Sequence, residues 1–228
     1  QMFYVMPFVK GESLRDRIDR EGQLSVDDAV RITTEVASAL GFAHSLGIIH
    51  RDIKPENILM NGEHALVADF GIAKAVSEAG QQKLTQTGMA VGTPVYMAPE
   101  QSAGETVGPT ADLYSLGCML YEMLSGEPPF TGKSAMAIMA RHVMEQVPSI
   151  RIVRNSVPEE IEEAIFAVLG KVPADRPQSA AAFIEMMGMP MGMTGTMRTR
   201  GGAGRRMTST YQVSESVAPP APAWRKPV

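Results

Sequence analysis

The sequence predicts an α+β fold, mainly helical, with one short β-hairpin and a single extra strand at its start. Three observations carry this. Apolar residues recur at helical spacing through much of the chain. Between residues 58 and 68 the period changes: Ile58-Leu59-Met60 and Ala65-Leu66-Val67-Ala68 flank Asn61-Gly62, a dipeptide favoured in tight hairpin turns. The opening run Met2-Phe3-Tyr4-Val5-Met6 reads as a further strand, which needs pairing partners to be stable.

Gly11 ends that opening run, and residues 12–19 read as a short helix. Ser25-Val26-Asp27-Asp28 places a hydroxyl at a helix start and an acid three residues on, the pattern of a capping box. Val26, Ala29, Val30, Thr33, Ala37, Leu40 and His44 then follow at helical spacing, and Gly47 is a natural stop. After the hairpin, residues 72–97 are rich in Gly, Ser, Thr and Gln without periodicity. A loop of that length is uncommon unless it is functional.

Leu113, Leu116, Gly117, Leu120 and Leu124 define an apolar helix over 110–124, closed by Gly126 and Pro128-Pro129. Further helices are expected over 134–145, 159–169 and 179–187. Beyond Met187 the chain turns to Gly, Met, Thr, Arg and Pro. Such a segment buries too little apolar surface to offset the cost of ordering, so 188–228 is expected to be disordered.

The 228 residues suit one domain of ordinary size plus a tail, and 44% apolar with 20% charged residues is an ordinary soluble composition. The net charge of −4 is unevenly distributed: residues 188–228 hold six Arg or Lys against one Glu, and the remainder 15 basic against 24 acidic residues. A basic tail therefore follows an acidic body. It lacks interleaved aromatics, which argues against nucleic-acid binding. Cys118 is the only cysteine, so no intrachain disulfide forms and a reducing compartment is expected. Its apolar helical setting reads as a buried thiol. No uninterrupted apolar run reaches the roughly 18 residues of a membrane span, and no signal peptide opens the chain.

The chemistry concentrates in His50-Arg51-Asp52-Ile53-Lys54-Pro55-Glu56-Asn57, with Asp69-Phe70-Gly71 beginning 17 residues after Asp52 across the hairpin. Positioned carboxylates, an amide and a lysine are the parts that phosphoryl transfer requires of a protein. Downstream stand Gly92-Thr93-Pro94-Val95-Tyr96-Met97-Ala98-Pro99-Glu100, Asp112-Leu113-Tyr114-Ser115-Leu116-Gly117 and Ala174-Asp175-Arg176-Pro177.

On these motifs the chain resembles the eukaryotic-like serine/threonine protein kinases of bacteria over residues 1–187. The resemblance implies a protein-kinase-like fold: residues 1–10 as the last strand of the N-lobe and the hinge, 11–187 as the C-lobe, with a catalytic loop at 50–57 and an activation segment at 69–100. It implies ATP and Mg²⁺ as cofactors and protein Ser/Thr hydroxyls as acceptors. Asp52 resembles the catalytic base and Lys54 the lysine that neutralises the migrating phosphoryl group. Asn57 and Asp69 resemble the metal ligands, and His50 and Phe70 structural residues beside them. Met6 resembles the gatekeeper, the Val9 backbone the adenine contact, and Leu59 the apolar floor. Thr85 and Thr87 resemble activating phosphorylation sites, Arg51 part of the pocket that receives the phosphate, and Thr93 a regulatory contact near the base. Glu100 and Arg176 resemble a structural ion pair, and Asp112 an acid that holds the catalytic-loop backbone; a bare acid in a first helical turn would otherwise be solvated there. Lys54-Pro55-Glu56 follows the serine/threonine branch.

The family's glycine-rich loop, strand lysine and helix glutamate have no match in these residues and are expected upstream of Gln1. The fragment alone is therefore expected to be inactive. A non-catalytic pseudokinase-like scaffold and a small-molecule phosphotransferase remain alternatives. Lys54-Pro55-Glu56 and Ala98-Pro99-Glu100 weigh against the phosphotransferase. Trp224-Arg225-Lys226-Pro227 resembles the cytoplasmic flank of a membrane span, which would put the full-length protein on the inner face of the cell membrane, able to autophosphorylate in trans.

Overall fold

Ser13 starts the first helix in the way its sequence dictates. Its hydroxyl accepts from the Asp16 N–H while the Asp16 carboxylate accepts from the Ser13 N–H, a reciprocal capping box over helix α1, Leu14–Glu21. The helix thus begins two residues later than the apolar spacing indicates. This computed structural model describes residues 11–70 and 94–188. The opening strand and hinge, with Met6 and Val9, lie outside the described residues. So do residues 71–93, with Thr85, Thr87 and Thr93, and the tail from residue 189 onward.

Helix α2, Val26–Ser45, is capped by Ser25, which accepts from the Asp28 N–H. A 3-10 turn, Pro55–Asn57, leads into strand β1, Ile58–Asn61, which pairs antiparallel with β2, His64–Val67. The register sets Ile58 opposite Val67 and Asn61 opposite His64. The two-residue loop is therefore Gly62-Glu63, one position later than an Asn61-Gly62 turn. Gly62 takes φ 63° in its first position, where a side chain would be strained. Ser13 forms a bridge to Leu59, and the Met60 N–H donates to Glu12.

Beyond the described gap come α3, Pro99–Ala103; α4, Pro109–Ser125; and α5, Ala135–Met144. They are followed by α6, Ile150–Val153; α7, Glu159–Val168; and α8, Ala180–Met186. The short helices α3 and α6 have too few residues to show a period in sequence. The long ones match the spacing-based ranges to within about two residues, the usual uncertainty of helix ends.

The core is organised around α4, whose residues from Thr110 to Leu124 are all buried. A helix buried all round needs neighbours on every side, and α2, α6 and α7 pack against it. Gly117 permits the close approach of α7: a Cβ there would lie 2.4 Å from Cγ1 of Val168 and 3.1 Å from Cδ2 of Leu169. Cys118 is fully buried on the same helix, and burial pushes its thiol pKa up, so it is an inert core residue. Among the described residues no helix is long and apolar enough to cross a membrane.

Val168 is β-branched and fully buried, so it cannot swing away from an added side chain. Gly117→Val should destabilise the protein by roughly 1–3 kcal/mol through overpacking, read as a lower urea midpoint. An unchanged midpoint would mean that α4 and α7 have slack at this crossing.

Candidate active site

The loop after α2 is seated on one carboxylate. Asp112, in the first turn of α4, is 1% exposed. Its Oδ2 accepts from the His50 N–H at 2.8 Å, its Oδ1 from the Arg51 N–H at 2.7 Å, and Oδ2 also receives His44 Nε2 at 2.7 Å. A buried charge is expensive unless it is fully hydrogen-bonded, and these three donors meet that demand. Arg51 sits at φ 66°, a left-handed conformation that costs roughly 1–3 kcal/mol and persists only where surroundings enforce it. The Asp112 bonds supply that enforcement. On the other side of the same residue, Gln101 Nε2 donates to the Arg51 carbonyl at 3.0 Å.

His50 carries the seat across to the hairpin. It is fully buried; Nε2 donates to the Ala68 carbonyl at 2.9 Å, and Nδ1 accepts from the Asp52 N–H at 3.3 Å. Its ring lies 4.8 Å from that of Phe70, tilted by 54°. The Ala68 N–H also donates to the Asn57 carbonyl at 2.8 Å. Asn57 and Asp69 therefore flank the same end of the ribbon, with Asp69 held at φ 55°.

The polar side chains meet there. Lys54 Nζ lies 2.9 Å from Asp52 Oδ2, and Asn57 Nδ2 donates to the Asp52 carbonyl at 2.7 Å and to Oδ2 at 3.3 Å. Both Asn57 bonds use its nitrogen, which directs the amide oxygen away from Asp52. Among the described residues no hydrogen bond engages the exposed Asp69 carboxylate. No cluster of three or more His, Cys, Asp or Glu side chains with metal-binding geometry occurs among the described residues. The candidate donors are instead one amide oxygen and one carboxylate. Such hard oxygens fit Mg²⁺, which takes few protein ligands and completes its shell with phosphates and water. Leu59 is half-buried on β1.

A cavity of about 590 Å³ opens beside this group, lined by Arg51, Asp52, Lys54 and Asn57 on one side and Pro94, Tyr96 and Glu122 on another. Its far wall holds a network not evident from the sequence. Arg15, on α1, binds Glu122 Oε1 at 3.0 Å, Glu56 Oε1 at 3.3 Å and the Tyr96 hydroxyl, which itself donates to Glu122 Oε2. Burial pushes the Glu122 carboxyl pKa up against the opposing pull of Tyr96 and Arg15.

Glu100 and Arg176 form a buried bidentate pair, with Nη1–Oε1 at 2.7 Å and Nη2–Oε2 at 2.8 Å. The guanidinium also donates to the carbonyls of Gly170, Lys171 and Thr110 and lies 4.7 Å above the Tyr114 ring. Beside this pair, the Tyr114 hydroxyl lies 2.8 Å from Nδ1 of His142 on α5, which is 1% exposed. Burial, and then the Lys171 charge, hold the His142 pKa down to about 4, with the Val95 backbone pulling the other way.

A protein kinase domain family model matches residues 1–187. The serine/threonine-protein kinase PknB of Mycolicibacterium smegmatis is 44% identical over 181 residues, 78% of this chain and 29% of that protein. PknB of Mycobacterium tuberculosis is 41% identical over 182 residues, with the same coverage. A probable PknB of Bifidobacterium longum is 50% identical over 144 residues, 63% of this chain and 21% of that protein. The chain thus spans less than a third of the length of these curated relatives. Among solved structures, Rad53 1–466 in complex with AMP-PNP superposes with a TM-score of 0.64 at 26% identity, covering 78% of this chain and 44% of that one.

Removing one partner of a buried ion pair strands the other charge, so Glu100→Ala should cost roughly 3–5 kcal/mol, measured by denaturant unfolding. A loss no larger than that of a surface pair would contradict the burial described. His142 has a folded-state pKa of about 4, below the ordinary value near 6.5. Its neutral form therefore contributes stability above about pH 6.5 that is lost as pH falls towards 4, because the unfolded chain takes up the proton first. Thermal midpoints should show this loss in wild type and a smaller one in His142→Gln; superimposable pH profiles would contradict the assignment.

Proposed function

Because the chain belongs to the protein kinase domain family, we propose that it is the C-lobe of an ATP-dependent serine/threonine protein kinase, with residues 1–10 as hinge and last N-lobe strand. The observation that carries this reading is the junction of Asp52, Lys54 and Asn57 through hydrogen bonds of 2.7 to 3.3 Å, with Asp69 at the same end of the ribbon.

Asp52 orients a substrate hydroxyl and takes its proton as the bond to phosphorus forms. Lys54, now on the Asp52 carboxylate, turns to the transferring phosphoryl group and balances its charge. Asn57 and Asp69 would hold Mg²⁺ through oxygen, and the metal would supply charge neutralisation on the phosphates. Leu59 would offer the adenine an apolar floor, and by family resemblance Met6 and Val9 are the proposed gatekeeper and adenine contact. The bidentate Glu100–Arg176 pair anchors the end of the activation segment. Phosphates at Thr85 and Thr87 would be received near Arg51, and Thr93 is proposed, by family resemblance, as a regulatory contact near the base.

The family's glycine-rich loop and strand lysine have no match in these 228 residues, so by themselves they are expected to show little or no turnover. Relatives bearing the name serine/threonine-protein kinase support protein hydroxyls as acceptors; a second copy of the kinase, phosphorylated in trans, would be one such acceptor. The aromatic-basic run Trp224-Arg225-Lys226-Pro227 supports a position on the inner face of the cell membrane.

In the protein extended upstream, Asp52→Asn should lower kcat by roughly two orders of magnitude or more, the scale of a lost general base, with nucleotide affinity retained. Asp69→Asn should raise the Mg²⁺ concentration needed for half-maximal rate. The unextended chain should show no turnover on a generic Ser/Thr protein substrate. Wild-type turnover by Asp52→Asn would end the kinase reading.

A further inference from the structure

Gln101 bridges two pieces of backbone. Its Oε1 accepts from the Ala98 N–H at 3.0 Å, closing the start of α3. Its Nε2 donates to the carbonyl of Arg51, 50 residues away in sequence, at 3.0 Å. Arg51 is held at φ 66° and immediately precedes Asp52. Its N–H is taken by Asp112. The residue before the candidate base is thus gripped at both peptide groups, by a buried carboxylate below and by one amide from the opposite wall.

We infer that Gln101 is a positioning residue for Asp52, fixing the Arg51–Asp52 peptide through its carbonyl so that the carboxylate faces the cavity. The inference rests on the reading of Asp52 as the base. The amide's two ends do separable work: the oxygen caps α3 and the nitrogen holds the loop. Glu100, the adjacent residue, is locked by Arg176, so α3 is an anchored platform from which Gln101 can reach. Because α3 ends the segment that includes residues 94–98, the same side chain links that segment's position to the geometry of the catalytic loop.

Q101E keeps the acceptor for the Ala98 N–H and replaces the donor to the Arg51 carbonyl by an oxygen that cannot bond it, whereas Q101M loses both bonds. The extended protein would carry Q101E, Q101M or, as the control for the underlying reading, D52N. Hydrogen exchange over residues 48–58 and steady-state kinetics would then be compared. Q101E should accelerate exchange over 48–58 severalfold while leaving α3 protected, and lower kcat roughly tenfold with KM for ATP unchanged, the scale of one lost hydrogen bond that positions the base. Q101M should do both and also expose α3. If Gln101 serves only as a cap, Q101E is silent in both measurements and Q101M alone has an effect; that result overturns the inference. Retained turnover in D52N would instead remove the reading beneath it.

Discussion

The Asp112 carboxylate is the constraint on which the site depends. It sits in the first turn of the most buried helix, where the helix dipole favours a negative charge, and it must find hydrogen bonds because it is shut off from water. It finds them in the N–H groups of His50 and Arg51 and in the His44 ring. That need bends the loop through a left-handed residue and presents Asp52 beside Lys54 and Asn57. The strain is local, and the hydrogen bonds that offset it are charge-assisted, roughly twice as strong as neutral ones.

Two further contacts extend this seat. His50 passes it to Ala68, which places Asp69 next to Asn57, the residue that leads into β1. Glu100 and Arg176 fix the opposite wall by a pair whose guanidinium also spans three backbone carbonyls. The walls of the cavity are therefore backed by two buried charge systems, one centred on Asp112 of α4 and one on Glu100 and Arg176, and both reach the first turn of α4. Its polar rim can stay half-exposed, as reacting groups must, because its supports are dry.

Much of this was legible in the sequence. The 3.6 period located the long helices, Ser25 marked the start of α2, and a hairpin at Asn61-Gly62 was clear although its loop falls one residue later. Spacing alone would leave Asp112 as a solvated acid; only the likeness of Asp112-Leu113-Tyr114-Ser115-Leu116-Gly117 to a family pattern pointed inward. The Arg15–Tyr96–Glu122 network was invisible because its members are 81 and 107 residues apart and each is ordinary in its local context. Gln101 and His142 escaped for the same reason: their partners, Arg51 and Tyr114, belong to other elements. Long-range polar pairing leaves no periodic trace, whereas apolar burial does.

The central claim is that this buried seat makes Asp52, Asn57 and Asp69 converge on one nucleotide–metal centre. A crystal structure of the upstream-extended protein with a non-hydrolysable ATP analogue and Mn²⁺ in place of Mg²⁺ tests it most directly. The account predicts anomalous density for the metal between the side-chain oxygens of Asn57 and Asp69, with the Asp52 carboxylate facing the terminal phosphate and the Asp112 bonds intact. A metal bound elsewhere, or Asp52 and Asp69 turned to separate surfaces, would contradict it.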